Sequence, residues 1–242
     1  MKKQVLKDKV VIITGATSGI GEASALVFGL NGAKVVITGR NQEKLDRTLG
    51  QLKSQNIDAL AILADSASES DNKNMAEKTI SHFGKIDILI NNAGISMRAL
   101  FQDLDLDVFK QVMDTNFYGT VYATKYCLTE ILKTKGSIIG ISSINGYRGT
   151  PARTAYSASK YAMNGFLEAL RTEVMNQGVH VLVASPGFTA SNIRNGALTA
   201  HGESQGKSPR DESKMMNPEE VALAILKSTL ERKRDLVLTT QG

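Results

Sequence analysis

Along most of the chain, short apolar runs alternate with longer stretches in which apolar residues recur every three or four positions. The runs are Val10-Val11-Ile12-Ile13, Lys34-Val35-Val36-Ile37, Ala59-Leu60-Ala61-Ile62, Ile86-Asp87-Ile88-Leu89-Ile90, Gly136-Ser137-Ile138-Ile139-Gly140, Val179-His180-Val181-Leu182-Val183 and Asp235-Leu236-Val237-Leu238. They are rich in β-branched residues and bounded by turn residues, which predicts strands buried on both faces. Helical spacing fills residues 21–30, 42–53, 71–82, 108–132, 154–175 and 218–230. This alternation predicts an α/β protein with a doubly wound, seven-stranded parallel sheet and crossover helices on both faces.

At 242 residues, with no Pro/Ser-rich linker or charge block, the sequence predicts a single domain over 1–242. One stretch breaks the pattern. Residues 188–217 are polar and rich in Gly, Ser and Lys, with helical character at most in their first part; a long irregular segment in a compact domain is usually a functional lid or an insert. The formal net charge of +5 comes from interspersed charges with few aromatics, so no nucleic-acid partner is expected. Cys127 is the one cysteine and falls in an apolar-periodic segment. It reads as a small buried hydrophobe in a reducing compartment. The apolar run after the charged N-terminus is too short for a signal peptide and nothing approaches a membrane span. The expectation is a cytoplasmic protein without membrane partner or metal.

Candidate chemistry begins at Tyr156-Ser157-Ala158-Ser159-Lys160. On a helix, Tyr156 and Lys160 lie one turn apart on one face. A free tyrosine titrates near about 10 and is a poor base at neutral pH, but a fixed cation favours its phenolate. Such pairs are common surface contacts, so the neighbourhood matters. Ser142 and Ser143 end the apolar run at Ile138–Ile141, at the carboxyl edge where open α/β sheets bind ligands.

The first predicted strand runs into Thr14-Gly15-Ala16-Thr17-Ser18-Gly19-Ile20-Gly21 and then a helix. Glycines there allow a tight turn and close approach to a diphosphate, met by free N–H groups and the helix dipole. The alternative is a glycine-rich turn with no ligand. Beyond the second strand comes Ile37-Thr38-Gly39-Arg40-Asn41, with no acid between Lys34 and Gln42. An arginine in that place suits the 2′-phosphate of NADP(H) rather than the ribose hydroxyls of NAD(H). The alternative for Arg40 is a solvated charge at a strand end.

Together Thr14-Gly15-x-x-x-Gly19-Ile20-Gly21, Asn91-Asn92-Ala93-Gly94, Asn116 in Asp114-Thr115-Asn116-Phe117-Tyr118-Gly119, Ser143, Tyr156-x-x-x-Lys160 and Pro186-Gly187 resemble the short-chain dehydrogenase/reductase family in order and spacing. The resemblance implies a seven-stranded Rossmann fold, a nicotinamide cofactor and hydride transfer to or from a carbonyl carbon. Carried onto these residues, Ser143 holds and polarises the substrate oxygen, while Tyr156 is the acid in reduction and the base in oxidation. Lys160 lowers the tyrosine pKa and holds the nicotinamide ribose. Asn116 orders a water that links Lys160 to solvent. Ser142 is the rival to Ser143.

Cofactor contacts implied in the same way fall on Thr14, Gly15, Thr17, Ser18, Gly19, Ile20, Gly21, Arg40, Asn91, Ala93 and Gly94, and on Asp65 and Ser66 near the adenine. Tyr156, Lys160, Pro186, Gly187 and Thr189 complete them. Asp65 alternatively caps a turn, and Asn91 alternatively ties strands together. The polar stretch falls where the family puts its substrate loop. Candidate lining residues are Ile95, Met97, Leu100, Ile144, Tyr147, Phe188 and Ile193, and Arg148 and Arg153 either meet an anionic substrate or are exposed charges.

The segments 151–160 and 189–194 are most similar to the family's member 7 and 7B subgroup, which tilts the substrate toward a bulky apolar carbonyl compound. Subgroup members in higher organisms carry a membrane anchor with no counterpart expected here, and the stop at Gly242, directly after the last strand, predicts a missing C-terminal tail. Three functional readings remain: an NADPH-dependent carbonyl reductase, an NAD-dependent alcohol dehydrogenase of the same family, and a non-catalytic cofactor-binding regulatory protein. A homodimer or homotetramer through the two long helices is expected.

Overall fold

The computed structural model describes residues 4–206 and 215–239. The first three residues, the centre of the expected substrate loop (207–214) and the chain end (240–242) lie outside the described residues. The strands are β1 (Val10–Ile13), β2 (Lys34–Gly39), β3 (Ala59–Leu63), β4 (Ile88–Asn91), β5 (Ser137–Ile141), β6 (His180–Pro186) and β7 (Asp235–Leu238). They pair in the order β3-β2-β1-β4-β5-β6-β7, every pair parallel. The direction of winding reverses between β1 and β4, and ligands bind at that reversal in open α/β sheets.

Two apolar layers sandwich the sheet. Helices α1 (Gly19–Leu30), α2 (Gln42–Ser54) and α7 (Pro218–Leu230) cover one face through Phe28, Leu45, Leu52, Val221 and Ile225. Helices α3 (Glu69–Phe83), α5 (Gly119–Thr134) and α6 (Thr154–Val174) cover the other through Met75, Ile131, Met163, Leu167 and Cys127. Cys127 is fully buried and desolvation pushes its thiol up to about 12, so it acts as an apolar filler.

The helix expected over 108–132 is not uniform. It consists of α4 (Leu106–Met113), a π-helical turn at Asp114–Tyr118, and α5. The wider turn places Asn116 inside at 0% exposure. There its side-chain amide binds the Ile95 main chain in both directions, Ile95 N–H to Oδ1 at 2.8 Å and Nδ2 to the Ile95 carbonyl at 2.9 Å. Single π turns in α-helices often mark functional sites.

The polar stretch after β6 holds no helix among its described residues. It is joined to the chain after β4 by a parallel bridge between Leu198 and Met97, with Leu198 N–H donating to the Ser96 carbonyl at 2.8 Å and Arg98 N–H to the Leu198 carbonyl at 2.9 Å. Met97, expected to line the substrate pocket, is fully buried with Leu198, Val108, Val112 and Ala155. The bridge turns it into core.

Candidate active site

The β1–α1 turn is fixed by contacts from the end of β4. The Thr14 hydroxyl accepts from the Asn92 and Ala93 N–H groups at 3.0 Å each. The Asn92 amide donates to the Thr14 and Gly15 carbonyls at 2.9 Å each. Gly15 is left-handed at φ 63° and a Cβ there would stand 2.8 Å from Ala93 Cα. Gly19, at φ 57°, would set a Cβ 2.9 Å from Ser191 Cβ in the loop after β6. Neither position admits a larger residue without displacement. Gly21 lies one turn into α1, and Ile20 packs partly buried on the core.

The start of α1 is uncapped by side chain. Ser18 occupies its N-cap without a side-chain bond, whereas Asn41, Ser68 and Asn217 cap α2, α3 and α7. First-turn amides without a capping oxygen suit an anion such as a diphosphate. Thr17 folds back toward β2, its methyl 2.6 Å from where a Gly39 Cβ would sit. Arg40 follows, exposed, with its guanidinium 3.9 Å from Asp65. Asp65 also accepts from the Ala67 N–H at 3.0 Å, as a turn residue does. The Ser66 carbonyl accepts from Asn72.

Asn91 and Gly94 bound the central crevice. Asn91 Nδ2 donates to the Thr124 hydroxyl at 3.1 Å, tying β4 to α5, while its buried Oδ1 has no hydrogen-bond partner among the described residues. An orphaned buried oxygen beside the crevice favours a hydroxyl-bearing ligand there. A Cβ on Gly94 would come 3.3 Å from Asn116 Oδ1 and 3.6 Å from Lys160 Nζ.

The two serines after β5 separate cleanly. Ser142 is buried and donates to Asn164 at 2.6 Å; Ser143 faces the Tyr156 phenol and caps the following turn through the Asn145 N–H. Lys160 is 3% exposed, and its ammonium donates to the Ile141 carbonyl at 2.8 Å while lying 5.8 Å from the centre of the Tyr156 ring. Burial pushes Lys160 down to about 8. Ser159 binds the Asn116 amide at 2.9 Å, linking the π turn to α6.

The expected depression of the Tyr156 pKa by Lys160 is not what the geometry gives. Burial pushes the phenol above its ordinary value, against opposing influences from Ser143, Arg153 and Arg194. The cause is desolvation of the phenol, with the lysine ammonium bound to the Ile141 carbonyl and making no bond to the phenol oxygen among the described residues.

Beyond β6, Gly187 N–H donates to the Leu238 carbonyl at 2.7 Å. This joins the Pro186-Gly187 step to the end of β7. Thr189 is 4% exposed. Arg194, also buried, donates to the Thr189 carbonyl at 2.6 Å. Arg153 donates to Ser96 at 3.0 Å and to the Met97 carbonyl, so it is a tie between α6 and the chain after β4; Arg148 is exposed. Leu100, Tyr147 and Phe188 are about half exposed around this mouth, with Ile95, Ile144 and Ile193 partly buried. Sequence reasoning did not single out Ser159, Asn164, Arg194 or Arg47 as site residues. Asn92 stood within a quoted motif, but its bonding role has no signature in composition or periodicity.

The family model described as short chain dehydrogenase matches residues 9–201. Dehydrogenase/reductase SDR family member 7B of Mus musculus is 38% identical over 242 residues, covering 98% of this chain and 75% of the mouse protein. The Drosophila melanogaster SDR family protein 7-like is 36% identical, covering 97% and 73%. Among solved structures, a short-chain dehydrogenase/reductase from Burkholderia phymatum in complex with NAD superposes with a TM-score of 0.87 at 22% identity, covering 96% and 89%. One of unknown function from Caenorhabditis elegans, solved with cofactor, gives 0.86 at 25%, covering 96% and 94%.

Proposed function

The chain belongs to the short-chain dehydrogenase family, and on that premise we propose that it is an NADP(H)-dependent carbonyl reductase acting on a bulky apolar carbonyl compound. The observation that carries this reading is the meeting, at the carboxyl edge of β5, of Ser143, Tyr156 and a buried lysine whose ammonium makes one hydrogen bond to protein. An ammonium has three donors, so a ribose diol beside Gly94 fits the two that remain.

A nicotinamide cofactor, when bound, would supply the hydride. Ser143 and the Tyr156 hydroxyl hold the substrate oxygen, where donors fixed in advance stabilise charge developing in the transition state. Tyr156 gives its proton to that oxygen in reduction and takes it back in oxidation. Lys160 orients the ribose and adds positive charge behind the phenol. Asn116, with its amide committed to Ile95 and Ser159, keeps α6 in register with the loop after β4; a relay water would then rest on its main-chain carbonyl.

Arg40 at the end of β2 supports NADP(H). The NAD-dependent alcohol dehydrogenase reading draws on a specific contact, since Asp65 at 3.9 Å partly neutralises Arg40. Exposed Phe101 ahead of α4, Leu106 on α4, Tyr118 at the end of the π turn and Tyr161 on α6 support self-association as a dimer or tetramer. No helix among the described residues is long and apolar enough to cross a membrane.

Calorimetric titration with NADPH and with NADH tests the cofactor, and Tyr156→Phe tests the chemistry. The variant is expected to bind cofactor as the parent does while turnover on carbonyl substrates falls by about 10²–10⁴. Undiminished turnover would remove Tyr156 from the mechanism.

A further inference from the structure

Resting on the dinucleotide reading above, we propose that Arg47, on α2, is a second cation of the site for the adenosine 2′-phosphate and acts jointly with Arg40 in selecting NADP(H) over NAD(H).

Helix α2 starts directly after Arg40, capped by Asn41, whose side chain accepts from the Lys44 N–H at 2.9 Å. Its core face is Leu45, Thr48 and Leu52. Arg47 lies off that face and reaches toward the β1–α1 turn. Its Nη2 donates to the Thr17 carbonyl at 3.1 Å and lies 3.5 Å from a Glu22 carboxylate oxygen on α1. Thr17 in turn packs its methyl on Gly39, the residue before Arg40. Arg47 thus reaches the turn that packs on Gly39, and the next residue along, Arg40, extends from the same strand end toward Asp65 after β3.

Each arginine has an acidic partner at a loose distance: Arg40 with Asp65 at 3.9 Å and Arg47 with Glu22 at 3.5 Å. All four side chains are substantially solvated, with 53% and 54% exposure at the arginines. Exposed pairs of this kind contribute little and exchange readily. A phosphate dianion is a stronger acceptor for a guanidinium, through paired charge-assisted bonds. A single arginine leaves about one negative charge of a dianion unmatched, and Arg47 supplies a guanidinium at the turn packed against Gly39. Nearby Lys44, Glu43 and Asp46 share α2, and Asp46 is bound to Gln42 at 2.8 Å.

A structural role for Arg47, clamping the glycine-rich turn through Thr17, acts on the whole dinucleotide; a phosphate role acts only on the phosphorylated one. Isothermal titration of the full chain and of Arg47→Met and Arg47→Lys with NADPH, NADH, 2′,5′-ADP and 5′-AMP separates them. Arg47→Met is expected to weaken NADPH and 2′,5′-ADP about tenfold, the loss of one exposed charge-assisted contact, with NADH and 5′-AMP unchanged. Arg47→Lys should recover part of the loss. Equal weakening of all four ligands would assign Arg47 to the clamp and overturn the proposal, as would no change in any. If the parent protein binds NADH but not NADPH, the selectivity assignment fails for Arg40 and Arg47 alike; if it binds neither, the dinucleotide reading falls first and this proposal with it.

Discussion

Replacing Lys160 by methionine should abolish activity and yet stabilise the cofactor-free protein. Lys160 is 3% exposed, and its ammonium makes a single hydrogen bond to protein, to the Ile141 carbonyl. Burial brings its pKa from 10.5 to about 8. At about 1.4 kcal/mol per pKa unit, keeping the charged form inside the fold costs about 3 kcal/mol at neutral pH. Methionine fills a similar volume without charge, but it leaves the Ile141 carbonyl without that donor, which returns about 1–2 kcal/mol. The net gain is about 1–2 kcal/mol, or a rise of about 3–6 °C in Tm for a domain of this size.

The pH dependence provides the control. Below the folded pKa of about 8 both folded and unfolded chains hold the proton, so the penalty is present in full. Between about 8 and 10.5 the unfolded chain binds the proton and the folded one does not, so parent stability rises with pH across that window. Thermal melts of parent and Lys160→Met at pH 7 and pH 9.5 should show a gap that narrows at the higher pH. Saturating cofactor should reverse the order, because a ligand that satisfies the ammonium stabilises only the parent in this way. A variant less stable than the parent at pH 7, or a gap indifferent to pH, refutes the reasoning.

Three further substitutions probe the two serines after β5 and the acid that precedes β4. Ser143→Ala should lower kcat by about 10²–10³ with little change in Tm, as loss of one oxyanion donor does, while Ser142→Ala should keep most of the rate and lose about 1–3 kcal/mol through the unpaired Asn164 oxygen; matching kinetic losses in both would contradict the division. Burial alone pushes the Asp87 carboxyl up, but bonds from Lys9, the Val10 N–H and Lys85 outweigh it and hold it below the usual range. Its stabilisation is thus present above the unfolded carboxylate pKa of about 3.9 and lost as pH falls through the lower folded value; Asp87→Asn should cost about 2–3 kcal/mol in urea titrations at pH 7 and much less at pH 3.

The sheet was legible because burial on both faces writes a continuous signal. Val10–Ile13, buried throughout, appears with the bounds read from its apolar run, and Asp235–Leu238 also keeps its bounds but as an edge strand with no buried residue. What hides from periodicity is anything set by one long-range contact. The π turn at Asp114–Tyr118 depends on Asn116 reaching Ile95, and no local pattern separates it from an uninterrupted helix. Met97 reads as an apolar residue in a loop; only the bridge to Leu198, about a hundred positions away, makes it core. Ser142 and Ser143 face opposite ways as successive residues leaving a strand do, and it is Ser143 that meets the Tyr156 phenol.

The electrostatics of Tyr156 shows the same limit from the other side. Spacing places Lys160 one turn along the same helix face, and charge alone then favours the phenolate. Spacing carries no information on solvation or on what else the ammonium binds. In the fold the lysine is held by the Ile141 carbonyl and the phenol is desolvated, so the tyrosine keeps its proton more tightly than in water. A phenol of ordinary pKa already enters carbonyl reduction protonated at neutral pH, so burial makes it a weaker acid, and a neighbouring positive charge is needed as the substrate oxygen takes the proton. Alcohol oxidation asks for the opposite starting state. Either direction therefore needs the Lys160 charge beside the phenol while the proton moves.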